Sequence, residues 1–208
     1  SVAQSGGLFR QLCASSAQSS LRAVQGGGGV RMPELTKALP PSTLSRELRE
    51  GRSAALNRRR WAIGLSYGGG IIGMIVGAYQ TGILKRLPDI LPGKVFNAEK
   101  VDASDYAYKR MQSPDGPLMG VTYLVTASLA AAGGKDRAEQ QPWLPIAAAL
   151  KAWGDLLFAG KLAQEEWAEN KALCSWCQVA TAFSAATALL LTPEAVRAGR
   201  NLVRPVTS

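Results

Sequence analysis

Residues 61–84 read WAIGLSYGGGIIGMIVGAYQTGIL and contain no charged side chain. An α-helix rises about 1.5 Å per residue, so a helix over this stretch is about 36 Å long. That length is enough to cross a bilayer hydrocarbon core of about 30 Å. The stretch therefore predicts a transmembrane helix.

Three more stretches have the length of a membrane span. Residues 116–134 and 173–192 carry no charge, whereas residues 142–162 contain Lys151 and Asp155. These two residues are four apart and lie on one helical face, where pairing reduces the cost of burying their charges. A role of this pair in proton transfer or quinone binding is the alternative. The sequence predicts an all-α integral membrane four-helix bundle with spans at about 61–84, 116–134, 142–162 and 173–192.

The distribution of charge predicts the orientation of these spans. Lys and Arg exceed Asp and Glu by seven in residues 1–60 and by two in residues 193–208, but by only one in residues 85–115. The positive-inside rule then places both termini on the matrix or stromal side, with NRRRW, residues 57–61, at the membrane boundary. Orientation explains the net charge of +9. No aromatic-rich basic groove indicates nucleic-acid binding.

The N-terminal part, residues 1–57, differs in composition from the rest. Residues 1–33 contain three arginines, six serines and no acidic residue, a pattern typical of organelle targeting sequences or their remnants. Residues 7–24 fit either a weakly amphipathic helix or a disordered segment. A surface helix is expected near residues 42–57, with Ser42 or Thr43 as its N-cap. The bundle would occupy 58–198 and a C-terminal tail 199–208.

A glycine stripe marks the first span. Gly69, Gly73 and Gly77 are four residues apart and leave a smooth surface on which another helix can pack closely. A passage for a ligand along this stripe is the alternative.

Two cysteines stand at the start of the last span. Cys174 and Cys177 are three residues apart, which places them on one helical face at a separation compatible with a disulfide. The positive potential of a helix start favours a reactive thiolate, most of all at Cys174. Cys174 is thus the candidate for exchange with other thiols and Cys177 for passing electrons deeper. Two packed cysteines, or a static disulfide, are the structural alternative.

A metal site is not predicted at this pair. Structural zinc sites take four ligands, and the chain has no histidine and one further cysteine, Cys13. The charge pattern places Cys13 on the opposite side of the membrane.

The chain resembles the vitamin K epoxide reductase family, most of all its short bacterial members, over about residues 58–198. The resemblance rests on the order of five motifs: YQTGIL at 79–84, LPGKVFNAEKVDASDYA at 91–107, SPDGPLMG at 113–120, RAEQQPWLPIAAALKAWGDLLFAGKL at 137–162 and NKALCSWCQVAT at 170–181. It implies a four-helix bundle around a quinone cofactor, with a CxxC pair that passes electrons from thiols to the quinone.

The resemblance also implies roles for single residues. Cys177 would face the quinone, and Cys174 would exchange with incoming thiols. Asp115 or Ser113 would lie near a quinone oxygen, unless Asp115 simply caps the second helix.

One departure from the family pattern leaves two functions open. Catalytic members carry a second cysteine pair in the loop after the first helix, and residues 85–115 contain no cysteine. Either an external thioredoxin-like dithiol reaches Cys174 directly, or the electron path is lost. The protein is therefore expected to be a thiol-disulfide oxidoreductase (quinone reductase), or an accessory subunit of a large mitochondrial inner-membrane or thylakoid complex that binds neighbouring subunits.

Overall fold

The computed structural model describes residues 39–203, and this range is built from helices and loops. Within it, the β-structure is limited to one isolated parallel bridge between Phe96 and Leu173. The all-α prediction is confirmed. The helices are α1 Pro41–Glu50, α2 Ala54–Gln80, α3 Ala98–Asp102, α4 Asp115–Ala131, α5 Arg137–Gln140, α6 Trp143–Asn170 and α7 Ser175–Val203, with a 3-10 turn at Asp105–Ala107.

Four long helices pack together as the predicted bundle. Helix α2 packs against α4 and α7, and α6 packs against α7 and α4. Three of these helices extend beyond the predicted spans, because a helix continues through charged residues outside the apolar layer. Helix α2 begins at Ala54 rather than Trp61, and α6 ends at Asn170 rather than at 162.

The outer surface of the bundle is apolar. Large apolar side chains are exposed on each long helix, including Met74 at 63%, Val121 at 59%, Leu157 at 73% and Leu189 at 63%. Helices α2 and α7 are long and apolar enough to cross a membrane, whereas α4 has 17 residues. Such a surface suits lipid better than water.

The glycine stripe is where α2 and α4 meet, so the packing interpretation is confirmed. A Cβ atom added at Gly73 would lie 2.7 Å from the backbone nitrogen of Gly120 and 2.8 Å from the carbonyl oxygen of Gly116. One added at Gly77 would lie 2.7 Å from a ring carbon of Pro117. The backbones of α2 and α4 can approach this closely only because the glycines carry no side chain.

Arg59 supplies hydrogen bonds to the C-terminal end of α4. It is 2% exposed, and its guanidinium donates hydrogen bonds of 2.9 to 3.1 Å to the five carbonyls of residues 130–134. The last carbonyls of a helix lack partners within the helix, and here one side chain supplies them. Nearby, Arg137 and Glu194 form a buried ion pair with an Nη2–Oε2 distance of 2.8 Å.

The predicted surface helix is two elements. Helix α1 follows Pro40, and no side chain caps it, so the expectation of Ser42 or Thr43 as N-cap was wrong. The fixed φ of Pro41 suits the first position of a helix. Helix α1 therefore begins at Pro41, earlier in the chain than expected. The chain then turns, and the Ser53 hydroxyl accepts the Leu56 N–H at 3.1 Å to start α2. The expectations for residues 1–33 and Cys13 lie outside the described residues.

Candidate functional site

Residues 85–114, here called the cap, lie over the start of α7. The backbone of the cap pairs with Leu173, through Asn97 N to Leu173 O at 3.0 Å and Leu173 N to Val95 O at 2.9 Å. The two residues between the cysteines also bind the cap. Ser175 Oγ donates to Asp89 Oδ1 at 2.7 Å, and Trp176 Nε1 donates to the Pro88 carbonyl at 2.9 Å.

The two cysteines lie on one face at the start of α7, as predicted. Cys174 directly precedes the helix and is 0% exposed, whereas Cys177 is partly buried one turn further on. Both are free thiols, and the Cys177 N–H donates to the Cys174 sulfur at 3.3 Å. The two sulfurs lie within 4.8 Å of each other. A small change in side-chain rotation would bring them into bonding distance, so the predicted disulfide is sterically accessible.

Cys174 is covered by the cap. It belongs to an apolar cluster that includes Leu87, Ala98, Val101 and Tyr106, all of which are buried cap residues. A thiol donor cannot reach the Cys174 sulfur while the cap is closed. The exchange role that the resemblance implies for Cys174 therefore requires the cap to open.

Asp102 is a buried carboxyl beside the cysteine pair. It is 2% exposed, and one of its oxygens lies within 4.8 Å of both sulfurs. Burial raises the pKa of Asp102 to about 7; a hydrogen bond with Cys174 opposes the rise, and Asp115 and Asp89 add to it. The sequence did not reveal this residue, because a single acidic residue in a polar loop gives no signal of burial.

Asp102, Cys174 and Cys177 are also the three residues that could contact one metal ion among residues 39–203. Three ligands are one fewer than a structural zinc site needs. We therefore interpret the cluster through thiol chemistry.

Glu166 is a second buried carboxyl at this end of the bundle. It is 4% exposed, and its Oε2 accepts the Cys174 N–H at 3.2 Å. Burial raises the pKa of Glu166 to about 8, and the hydrogen bond from Cys174 opposes the rise. Glu166 could not be predicted as a site residue, because it lies beyond the predicted third span, which ends at residue 162. These acidic neighbours counteract the positive potential that the helix start creates at Cys174.

A cavity of about 260 Å³ adjoins Cys177. It lies between α4, α6 and α7, and the last residues of the cap close one end. Its walls are mainly apolar, and the polar groups are few. Cys177 lines the cavity and Cys174 does not; the other lining residues are Arg110, Met111, Asp115, Leu118, Met119, Thr122, Tyr123, Asp155, Phe158, Ala159, Leu162, Glu166, Gln178 and Thr181.

Of the two polar residues predicted near a quinone oxygen, Asp115 lines the cavity and Ser113 does not. The nearest hydrogen-bond partner of Ser113 Oγ is the adjacent Pro114 carbonyl at 3.5 Å. Asp115 does not cap α4 with its side chain. Instead Gln80 bridges the helix start, donating to Asp115 Oδ1 at 2.6 Å and accepting the Gly116 N–H at 3.0 Å. Gln80 is a third site residue, after Asp102 and Glu166, that could not be predicted from the sequence.

Arg110 gives the cavity an unused hydrogen-bond donor. Its Nη2 binds Glu165 Oε2 at 2.6 Å, and its guanidinium lies 4.8 Å from the centre of the Tyr106 ring. Its Nη1 lies 4.0 Å from Asp115 Oδ2, too far for a hydrogen bond, and is buried without a hydrogen-bond partner. Buried donors normally have partners, so this atom suits an acceptor oxygen of a bound molecule. A mainly apolar cavity with a hydrogen-bond donor at one end fits a quinone ring and its carbonyl.

The predicted pair in the third span is present. Lys151 Nζ lies 2.6 Å from Asp155 Oδ2, and Thr126 Oγ1 donates to the same oxygen at 2.9 Å. The pairing is therefore confirmed. Asp155 also borders the cavity.

Together these features define a helical membrane protein with a buried dithiol beside an apolar cavity. The family model described as the vitamin K epoxide reductase family matches residues 59–192, which is more than half of the chain. The chain belongs to this family. Neither the curated proteins nor the solved structures gave a match to it.

Proposed function

We propose that this protein is a membrane thiol-disulfide oxidoreductase that passes electrons from Cys174 and Cys177 to a quinone. The observation that carries the proposal is that the two sulfurs occupy different positions. Cys177 forms part of the cavity wall, and Cys174 lies behind it under the cap. Electrons that arrive at Cys174 can thus leave through Cys177 into the cavity.

The residues around the cavity suit this reaction. A bound quinone accepts two electrons and two protons, which is what a dithiol releases when it becomes a disulfide. Leu118, Met119 and Phe158 would hold the ring and exclude water. Arg110 Nη1 would donate a hydrogen bond to a carbonyl oxygen, and Asp115 would lie at the same polar end of the cavity. Water exclusion strengthens these polar contacts.

The source of electrons is an external dithiol in this proposal. The cap contains no cysteine that could relay them, and Cys174 is fully buried. A thioredoxin-like partner would therefore act on the open form of the cap.

An accessory role in a large organelle membrane complex is the second candidate. The absence of cysteine from the cap and the full burial of Cys174 also favour this role. A site that has lost its catalytic activity would show the same two features. In this case the N-terminal extension, residues 1–57, would bind neighbouring subunits. Membrane lipids would surround the exposed apolar faces in both cases.

The membrane arrangement is part of the proposal. Four spans would place both termini on the matrix or stromal side, with the cap and the cysteines on the opposite side. A single cysteine at Lys94, introduced in a background that lacks the native cysteines, should react with an impermeant reagent from the side opposite the N-terminus. Reaction from the same side as the N-terminus would refute this orientation.

The deciding experiment is quinone reduction driven by a small dithiol in purified protein. Wild type is compared with Cys177→Ala and Cys174→Ala, and Cys13→Ala, at the remaining cysteine, serves as a control. Reduction that depends on Cys174 and Cys177 but not on Cys13 supports the oxidoreductase. If the native membrane complex assembles normally with Cys177→Ala and electron flow is unchanged, the accessory role is correct.

A further inference from the structure

We propose that Asp102 is a catalytic residue that carries the proton of the cysteine pair as the pair alternates between dithiol and disulfide. This inference rests on the dithiol chemistry of the proposed function. It assigns a role to a residue outside the CxxC motif and outside the cavity wall.

The geometry supplies the first argument. An Asp102 oxygen lies within 4.8 Å of both sulfurs, so one carboxyl serves the two thiols. Its Oδ2 is buried without a hydrogen-bond partner, although the residue is 2% exposed. A buried carboxylate normally has several donors around it. Asp102 Oδ2 can therefore accept a proton.

The surroundings of Asp102 supply the second argument. No lysine or arginine between residues 39 and 203 forms an ion pair with it. The titratable groups that face it come from the cap and from all four long helices: Tyr79, Asp89, Tyr108, Asp115, Glu166, Cys174 and Cys177. None of these carries a positive charge at any pH, so a carboxylate here is uncompensated and takes up a proton readily.

The third argument excludes the neighbouring acid. Glu166 Oε2 already accepts the backbone N–H of Cys174, which ties this carboxylate to the start of α7. Glu166 is outside the group of three whose ligand atoms lie within 4.8 Å of one another. Glu166 therefore positions the helix start, whereas an Asp102 oxygen lies within 4.8 Å of both reacting sulfurs.

Asp102 takes the proton from the Cys174 thiol, and the S–S bond forms as the S–H bond of Cys177 breaks. Two electrons and the Cys177 proton pass to the quinone of the proposed function. Asp102 then releases its proton and the hydroquinone takes up its second proton, so two protons leave the thiols and two are gained. In the reverse half of the cycle a donor thiol gives its proton to Asp102 and attacks Cys174. The S–S bond breaks, a mixed disulfide forms at Cys174, and Asp102 gives the donor's proton to the Cys177 thiolate that departs. The donor's second thiol then attacks the mixed disulfide, and its proton goes to Cys174.

The test follows disulfide formation in the purified protein with the thiol oxidant diamide, without a quinone, between pH 5 and pH 9. Asp102→Asn keeps the shape of the side chain but cannot take up the proton. We expect it to slow disulfide formation about 100-fold near pH 7, which is the lower range for loss of a general base. The wild-type profile should contain an inflection near pH 7 that the variant lacks. Asp105→Asn, three residues away and exposed, is the matched control.

Three results would overturn the assignment. The first is an Asp102→Asn variant with the wild-type rate and profile. The second is a loss in Asp105→Asn equal to that in Asp102→Asn. The third is a Glu166→Gln variant that removes the inflection while Asp102→Asn retains it.

A measurement on the wild-type side chain covers the case in which Asp102→Asn does not fold. Infrared difference spectra of protein labelled with ¹³C-aspartate report the protonated carboxyl, and Asp115→Asn removes the half-buried aspartate at this end. The pH midpoint of the band should differ between dithiol and disulfide protein. An identical midpoint in both states would contradict the proposal.

The assays also separate this inference from the proposed function. If the diamide reaction depends on Asp102 but dithiol does not drive quinone reduction, the proton carrier is correct and the quinone assignment is wrong. If quinone reduction depends on the cysteines but not on Asp102 at any pH, the oxidoreductase is correct and the proton carrier is wrong.

Discussion

Substitution of Gly73 by alanine tests the contact between α2 and α4. The new Cβ would lie 2.7 Å from one backbone atom of α4 and 2.8 Å from another, whereas ordinary contacts begin near 3.4 Å. Neither atom belongs to a flexible side chain, so the helices must separate by about 0.7 Å. Overpacking of this kind costs about 1–3 kcal/mol.

Gly64→Ala is the matched control. Gly64 lies on the same helix, and a Cβ there would meet nothing within 4 Å. Both variants gain helix propensity of about 1 kcal/mol, which cancels in the comparison. Gly73→Ala should therefore be about 1–3 kcal/mol less stable than Gly64→Ala. Unfolding in mixed micelles with increasing dodecyl sulfate measures the difference, and equal stability of the two variants would refute the close-packed contact.

Three further predictions concern other parts of the bundle. Lys151→Met or Asp155→Leu alone should lower the folded yield more than the double substitution, because each strands one charge; a double variant as poor as the worse single would contradict the pairing. Arg59→Met should destabilise by about 3 kcal/mol or more through the loss of several charge-assisted hydrogen bonds, whereas the exposed Arg52→Met should be neutral in the same thermal assay. The pKa of Asp102 rises from 3.8 to about 7 in the closed cap. Between these two pH values the Asp102 carboxyl is protonated while the cap is closed and loses its proton when the cap opens. Hydrogen exchange at Val101, corrected for its intrinsic rate, should show protection that falls from pH 4 to pH 7 and is constant above about pH 8; uniform protection would exclude the effect.

The bundle could be predicted because its determinants are local. Uncharged stretches of span length, the spacing of Gly69, Gly73 and Gly77, and the i,i+4 positions of Lys151 and Asp155 each depend on neighbouring residues in one helix. The structure contains a helix over each stretch, with different ends, and it confirms the glycine contact and the Lys151–Asp155 pair. The same locality placed Cys174 and Cys177 on one face.

Other parts of the site depend on contacts between distant residues. Gln80 meets the start of α4 across 36 positions, and Arg59 reaches the end of α4 across more than 70. Asp102 acquires its burial only when the cap folds over α7. No periodicity or short motif indicates such contacts, so these three roles could not be predicted from the sequence.

The way in which the cap is fastened has a kinetic consequence. Ser175 and Trp176 lie between the two cysteines and donate hydrogen bonds to the cap. The helical turn that carries the two sulfurs therefore also holds the cap closed. Access to Cys174 and the geometry of the pair then change in one event. With increasing concentration of any dithiol, the rate of reduction should approach the same ceiling, the opening rate of this chain. Donors of different reactivity would differ only in the concentration at which the rate reaches half of this maximum. A maximum rate that varies with the donor would show that access to Cys174 and the geometry of the cysteine pair change independently.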